Sequence, residues 1–135
     1  MPATPHHNAA PDLGQLTATR AASDLRQGRY SAEALVLACQ TRIDCFNPEL
    51  NALVTLNREG ALLAAREADR RLAQGEPLPP LLGVPVSIKD AFATRDMRTT
   101  SSFRPLADYQ PVADASVVAR WRQAGAILMG KSNLP

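Results

Sequence analysis

The apolar patterning between Val84 and Met129 leaves little choice of fold. Val84, Val86 and Ile88 alternate as a short strand, and Pro85 confines that strand to a start or an edge because it has no N–H for a ladder. Residues 90 to 113 carry two prolines and the run Thr99-Thr100-Ser101-Ser102, and they read as a loop. Asp114 or Ser116 then caps a helix that runs through Val117, Val118 and Trp121 to Gly125, and Ala126 to Met129 forms a short buried strand. Strand, long loop, helix, strand is a βαβ-like unit, in which the strands are parallel and the crossover right-handed. A parallel pair needs helices over both faces and strands beside it. The rest of the chain must supply that cover.

The residues before Val84 read mainly as helices. Residues 1 to about 12 look like a mobile tail. Leu16, Thr19, Ala22 and Leu25 follow a three-to-four repeat that stops at Gly28. Ser31 offers an N-cap to a second helix with Ala34, Leu35, Ala38, Ile43 and Phe46 on or near one face, ended by Pro48. Ala52 to Leu56 has strand length. Asn57 caps a third helix whose stripe is Ala61, Ala65, Ala68 and Leu72, closed by Gly75 and followed by a stiff connector with Pro77, Pro79 and Pro80. Arg66 to Arg71 reads as the solvated face of that helix, with opposite charges three and four apart.

Charge and cysteine usage narrow the function. The formal charge is +2, from 15 basic and 13 acidic residues interspersed along the chain. That mixture lacks the basic stripe of a nucleic-acid binder. Cys39 and Cys45 are six apart, neither a redox pair nor a zinc knuckle, and read as reduced thiols. His6 and His7 are the only histidines and lack companions for a metal site. There is no signal-peptide core and no apolar run of membrane-spanning length. The expectation is a cytoplasmic protein with no cofactor, no metal, no nucleic-acid or membrane partner, open to self-association through its sheet edges.

Thirteen of the basic residues are Arg, and the only lysines are Lys89 and Lys131. Arg stays charged, whereas a desolvated Lys can serve as a neutral base. Lys89 ends an apolar strand, where ligands of α/β sheets gather. The plainer reading makes it a surface lysine that pairs with Asp90 or caps a helix end. Lys131 admits two readings, a structural pair near the active end of the sheet, which we favour, or a second catalytic group. Thr99 to Ser102 is the only hydroxyl cluster, and without a Gly-rich turn around it, it reads as loop hydrogen bonding.

Five pieces in register add a resemblance. Gly83-Val-Pro-Val-Ser-Ile-Lys-Asp90, Met97-Arg-Thr-Thr100, Asp114-Ala-Ser-Val-Val118, Ala124-Gly-Ala-Ile-Leu128 and Gly130-Lys-Ser-Asn-Leu-Pro135 resemble the amidase signature family in order and spacing. Tyr30-Ser31 and Phe46-Asn-Pro-Glu-Leu-Asn-Ala52 look like that family's lead-in. The resemblance implies an α/β fold, N-terminal helices followed by the first strands of a mixed α/β/α sheet, with residues 13–135 as the N-terminal portion of an amidase domain. It also implies hydrolysis of the C–N bond of a small-molecule amide by a Ser–cisSer–Lys triad. Lys89 matches the triad's lysine, a base acting through a bridging Ser on a nucleophilic Ser. In the family both serines lie beyond the motif matched by Gly130 to Pro135, so the chain is expected to be inactive alone, and marginally stable or oligomeric. Two alternatives remain. One is a glutamine-amidotransferase subunit of the same family acting on misacylated tRNA, against which the strip Phe103 to Tyr109 weighs because it looks like the general amidases. The other is a non-catalytic binding or assembly fragment.

Overall fold

The computed structural model describes residues 12–75 and 77–135. The expected tail, with His6 and His7, therefore lies outside the described residues except for Asp12. Asp12 caps a short 3-10 turn, Leu13–Gln15, its carboxylate accepting from Gly14 N at 3.0 Å.

Four α-helices and three strands follow among the described residues: α1 (Ala18–Arg26), α2 (Ala32–Leu50), β1 (Leu53–Leu56), α3 (Arg58–Gln74), β2 (Pro85–Lys89), α4 (Ser116–Gln123) and β3 (Ile127–Ser132). The sheet order is β1-β3-β2, with β2 parallel and β1 antiparallel to β3. The parallel pair is the one expected from the βαβ pattern. β3 runs three residues further than its apolar stretch suggested and takes in Gly130, Lys131 and Ser132.

Local chemistry sets most helix ends. Thr17 accepts from Arg20 N at the start of α1, and Ser31 accepts from Ala34 N at the start of α2. Asp69, from the charged run of α3, reaches across to the same terminus, its two oxygens accepting from Ala32 N at 2.6 Å and Glu33 N at 3.1 Å. Three otherwise orphaned N–H groups of α2 are thus satisfied. The run Arg66 to Arg71 is therefore not simply a solvated face. Glu67 and Arg70 do pair along it, but Asp69 is a cap acting across 37 residues of chain.

Four expectations about ends and faces need correction. Pro48 does not end α2: it sits in the last turn, where only one backbone donor is lost, and the helix stops at Asn51 in the left-handed conformation. Asn47 anchors that stop to β1 by donating to Leu53 O at 3.0 Å and accepting from Leu53 N at 2.8 Å. Asn57 occupies the N-cap position of α3 without capping it, because its amide instead donates to Leu128 O of β3. Ala115, not Asp114 or Ser116, is the N-cap of α4, since the Asp114 carboxylate is engaged by Arg95 N at 2.9 Å and by Arg122 Nε at 3.0 Å. Phe46 points outward, 49% exposed, with the Arg42 guanidinium 5.2 Å above its ring.

The core divides across the sheet. On one face the alanine stripe of α3 meets Leu25, Leu35 and Val36 over Val84, Ile127 and Met129. On the other, Ile88 and Leu128 pack against Val118 of α4 and Met97 of the long loop. Small alanines let α2 and α3 approach closely, and the aliphatic strands supply most of the buried area. Cys39 is half-buried and Cys45 exposed, and both are free.

Candidate functional site

The C-terminal ends of β2 and β3 bring both lysines to the same edge of the sheet. The register pairs Ile88 with Lys131 and Lys89 with Ser132. Because side chains alternate along a strand, Lys131 shares a face with the buried Ile88 and Lys89 emerges on the opposite face. Lys89 is exposed, and it forms no ion pair or side-chain hydrogen bond among the described residues.

Lys131 is the larger surprise. It is fully buried, and three oxygens lie within 3.3 Å of its ammonium: Thr99 Oγ1 at 2.6 Å, Arg98 O at 3.2 Å and Asp90 Oδ1 at 3.3 Å. The first two accept hydrogen bonds. The Asp90 oxygen faces the charge as an ion pair without a well-angled bond, and it has no other donor. Burial pushes the Lys131 amine below the ordinary lysine range, and Asp90 opposes that fall by its hydrogen bond and its charge. The desolvated lysine of this chain is thus Lys131, whereas the sequence assigned that condition to Lys89.

Asp90 carries the rest of the arrangement. It does not pair with Lys89, as the plainer reading of that lysine required, but turns its carboxylate to Lys131. Its N–H donates to Ser132 O at 3.0 Å, its carbonyl accepts from Ser101 N at 3.1 Å, and its carboxylate accepts from Thr100 N at 3.1 Å and from the Thr100 hydroxyl. The hydroxyl run Thr99 to Ser102 therefore does bond the loop to the strand end. Thr100 to Phe103 is a tight turn, closed by Phe103 N donating to Thr100 O at 2.9 Å, with Ser101 and Ser102 both at positive φ. Two non-glycine residues in that conformation store strain, and the bonds to Asp90 hold them there. Asp90 was the residue that sequence reasoning undervalued. Counting strand register back from Gly125 would have set Ile88 against Lys131 and brought Asp90 within reach of it.

These features define an α/β protein with a free lysine at the C-terminal end of a parallel strand and a buried lysine–aspartate pair behind it. The family model described as Amidase matches residues 34–135, and the chain belongs to the amidase signature family. It is 42% identical over 123 residues to the amidase-family subunit of the glutamyl-tRNA(Gln) amidotransferase of Acidothermus cellulolyticus, a match covering 91% of this chain and 24% of that one. Among solved structures it resembles the native peptide amidase of Stenotrophomonas maltophilia, with a TM-score of 0.82 and 32% identity over 89% of this chain and 25% of that one. It also resembles a bacterial aryl acylamidase of the amidase signature enzymes, with a TM-score of 0.84 and 26% identity over the same shares. The chain spans about a quarter of the length of these relatives.

Proposed function

We propose that this chain supplies Lys89 as the general base of an amide hydrolase, and that the two serines of the triad come from outside residues 1–135. One observation carries the reading: Lys89 stands unpaired at the end of a parallel strand while the neighbouring carboxylate is turned to Lys131 on the other face. A lysine paired with a carboxylate is held protonated, and a protonated amine cannot accept the proton that a base must take. Directing Asp90 elsewhere leaves the Lys89 amine free for that task, once the surrounding protein excludes water from it.

In this mechanism the Lys89 amine takes a proton from a bridging Ser hydroxyl, which takes one from the nucleophilic Ser. The Ser oxygen attacks the amide carbonyl, the proton returns to the leaving nitrogen as the C–N bond breaks, and water hydrolyses the acyl-enzyme. A small-molecule amide is the substrate class. A second reading, part of an amidotransferase that acts on glutamyl-tRNA(Gln), is favoured by the names of the curated relatives, 38–42% identical to this chain.

The test is a chimera in which residues 12–135 replace the matching quarter of the peptide amidase. The expected result is amide hydrolysis that Lys89→Met lowers by at least about a thousand-fold, with secondary structure unchanged. A folded chimera that is inactive, or that tolerates Lys89→Met, refutes the reading. Offering glutamine and a peptide amide side by side separates the two substrate classes. The 135-residue chain by itself should turn over no amide and leave a fluorophosphonate probe unreacted.

A further inference from the structure

We infer that Lys131 is a positioning residue for Lys89, holding the strand end that carries Lys89 and the turn Thr99–Ser102 together as one rigid unit through Asp90. The inference rests on the reading of Lys89 as the base.

Lys131 donates to Thr99 Oγ1 and Arg98 O and faces Asp90, so three separate stretches of chain meet at one buried ammonium. Asp90 follows Lys89 directly, and its N–H, carbonyl and carboxylate are all engaged, by β3, Ser101 and Thr100 respectively. Fixing Asp90 on both sides fixes the peptide that joins it to Lys89, and with it the direction in which the Lys89 side chain leaves the strand. Beyond Thr100 the turn has no deep anchor of its own at this end of the sheet: Ser101 and Ser102 are exposed.

Stability alone does not account for such a pair. Two charges taken out of water lose hydration that their attraction only partly restores, and well-packed apolar replacements are often neutral or better. What an apolar pair cannot do is specify direction, because dispersion contacts lack the angular demand of an ammonium with three placed acceptors. The pair lies on the opposite face from Lys89, so it can hold the strand end without neutralising the base.

The experiment uses the 135-residue chain labelled with 13C and 15N at lysine, where the only two sets of lysine signals belong to Lys89 and Lys131. In Asp90→Asn/Lys131→Met, both charges go together and no buried charge is left unpaired. The expected result is a folded protein with the amides of residue 90, Thr100 and Ser101 exchanging at least about ten-fold faster relative to Ile127, and with the Lys89 signals broadened or split. A merely structural pair would alter the melting temperature and leave the Lys89 signals sharp and single, which overturns the inference. If the double variant does not fold, native-state exchange of the unaltered chain decides. The amides of Asp90, Thr100 and Ser101 should open in one step with a shared free energy, and independent opening of the two loop amides overturns the inference. Neither arm measures hydrolysis. A failed chimera with a broadened Lys89 therefore refutes the function, and an active chimera with an unaffected Lys89 refutes only the positioning.

Discussion

Replacing Gly125 with alanine should damage the entry to the strand pair that carries Lys89. Gly125 lies between α4 and β3 at φ +88, and a Cβ there would sit 2.6 Å from Leu82 Cα and 2.9 Å from Leu82 N. Those neighbours are backbone, and they cannot rotate away. Around them Leu81 N donates to Ala124 O at 2.8 Å, Gly83 N to Gly125 O at 3.1 Å and Ile127 N to Val84 O at 2.8 Å, the bonds that start the parallel ladder. Two costs follow. Left-handed backbone costs a non-glycine residue about 1–2 kcal/mol. Separating two backbones from 2.6 Å to carbon contact, a shift of about 1 Å, costs about 1–3 kcal/mol more, the range of overpacking. Gly75 supplies the control: at φ +70 it has nothing within 4 Å of its added Cβ, so only the first cost applies.

Thermal melts at one fixed protein concentration separate the two. At roughly 4 °C per kcal/mol for a chain of this size, Gly75→Ala should lower the midpoint by about 4–8 °C and Gly125→Ala by about 8–20 °C. Gly125→Ala should also speed exchange of the Gly83 and Ile127 amides, and Gly75→Ala should not. Equal melting shifts would show that the contact with Leu82 does not hold the strand entry, and the account of how β2 is placed would fail with it.

Three other outcomes can be checked directly. Reductive methylation under native conditions should modify the exposed Lys89 and spare the buried Lys131, read by mass spectrometry of peptides, and Lys131 should react only once the chain unfolds. Asp69→Ala should lower stability by about 1–2 kcal/mol in urea melts, because two N–H groups at the start of α2 lose their acceptors. The Arg20 side chain, 2.7 Å away, and then the charge of Arg29 hold the Asp24 carboxyl below its ordinary range. Its stabilisation is therefore fully present above the unfolded value of about 3.9 and is lost as pH falls through the depressed folded value. Asp24→Asn should cost stability at neutral pH, and the gap to the unaltered chain should close in acid.

What was legible in the sequence was chemistry that acts over three or four residues. Ser31 caps the helix that begins beside it, and Gly75 ends the one that precedes it, because both effects depend on the adjacent turn alone. The βαβ order was legible for a similar reason, since apolar period and chain continuity leave one arrangement. Contacts between distant residues were not. Asn57 and Asp114 are good caps by type, yet each is drawn to a partner from another element, Leu128 O for one and Arg95 with Arg122 for the other. Spacing could not show that Asp69 would cap a helix beginning at Ala32. At the site the same limit applies: Lys89 followed by Asp90 suggests a neighbouring pair, but alternation sends adjacent side chains to opposite faces, and only the register with β3 shows which lysine Asp90 meets.

That register explains why an arginine-rich chain has lysine at these two places, and the explanation makes opposite demands at each. Around position 131 there are three acceptors, Thr99 Oγ1, Arg98 O and Asp90 Oδ1, which match the three N–H bonds of an ammonium. A guanidinium has five, so Lys131→Arg would bury two donors without partners in a fully enclosed site. Urea melts should show a loss of about 2–5 kcal/mol. At position 89 the side chain is exposed and free, so Lys89→Arg should leave stability within about 0.5 kcal/mol. In the active chimera the same change should abolish hydrolysis, because a guanidinium does not give up its proton at any pH the enzyme survives. Lysine at 131 is thus required by geometry and lysine at 89 by acidity. If Lys89→Arg destabilised the chain as much as Lys131→Arg, or if the chimera kept its activity with arginine at 89, that division of labour would be wrong.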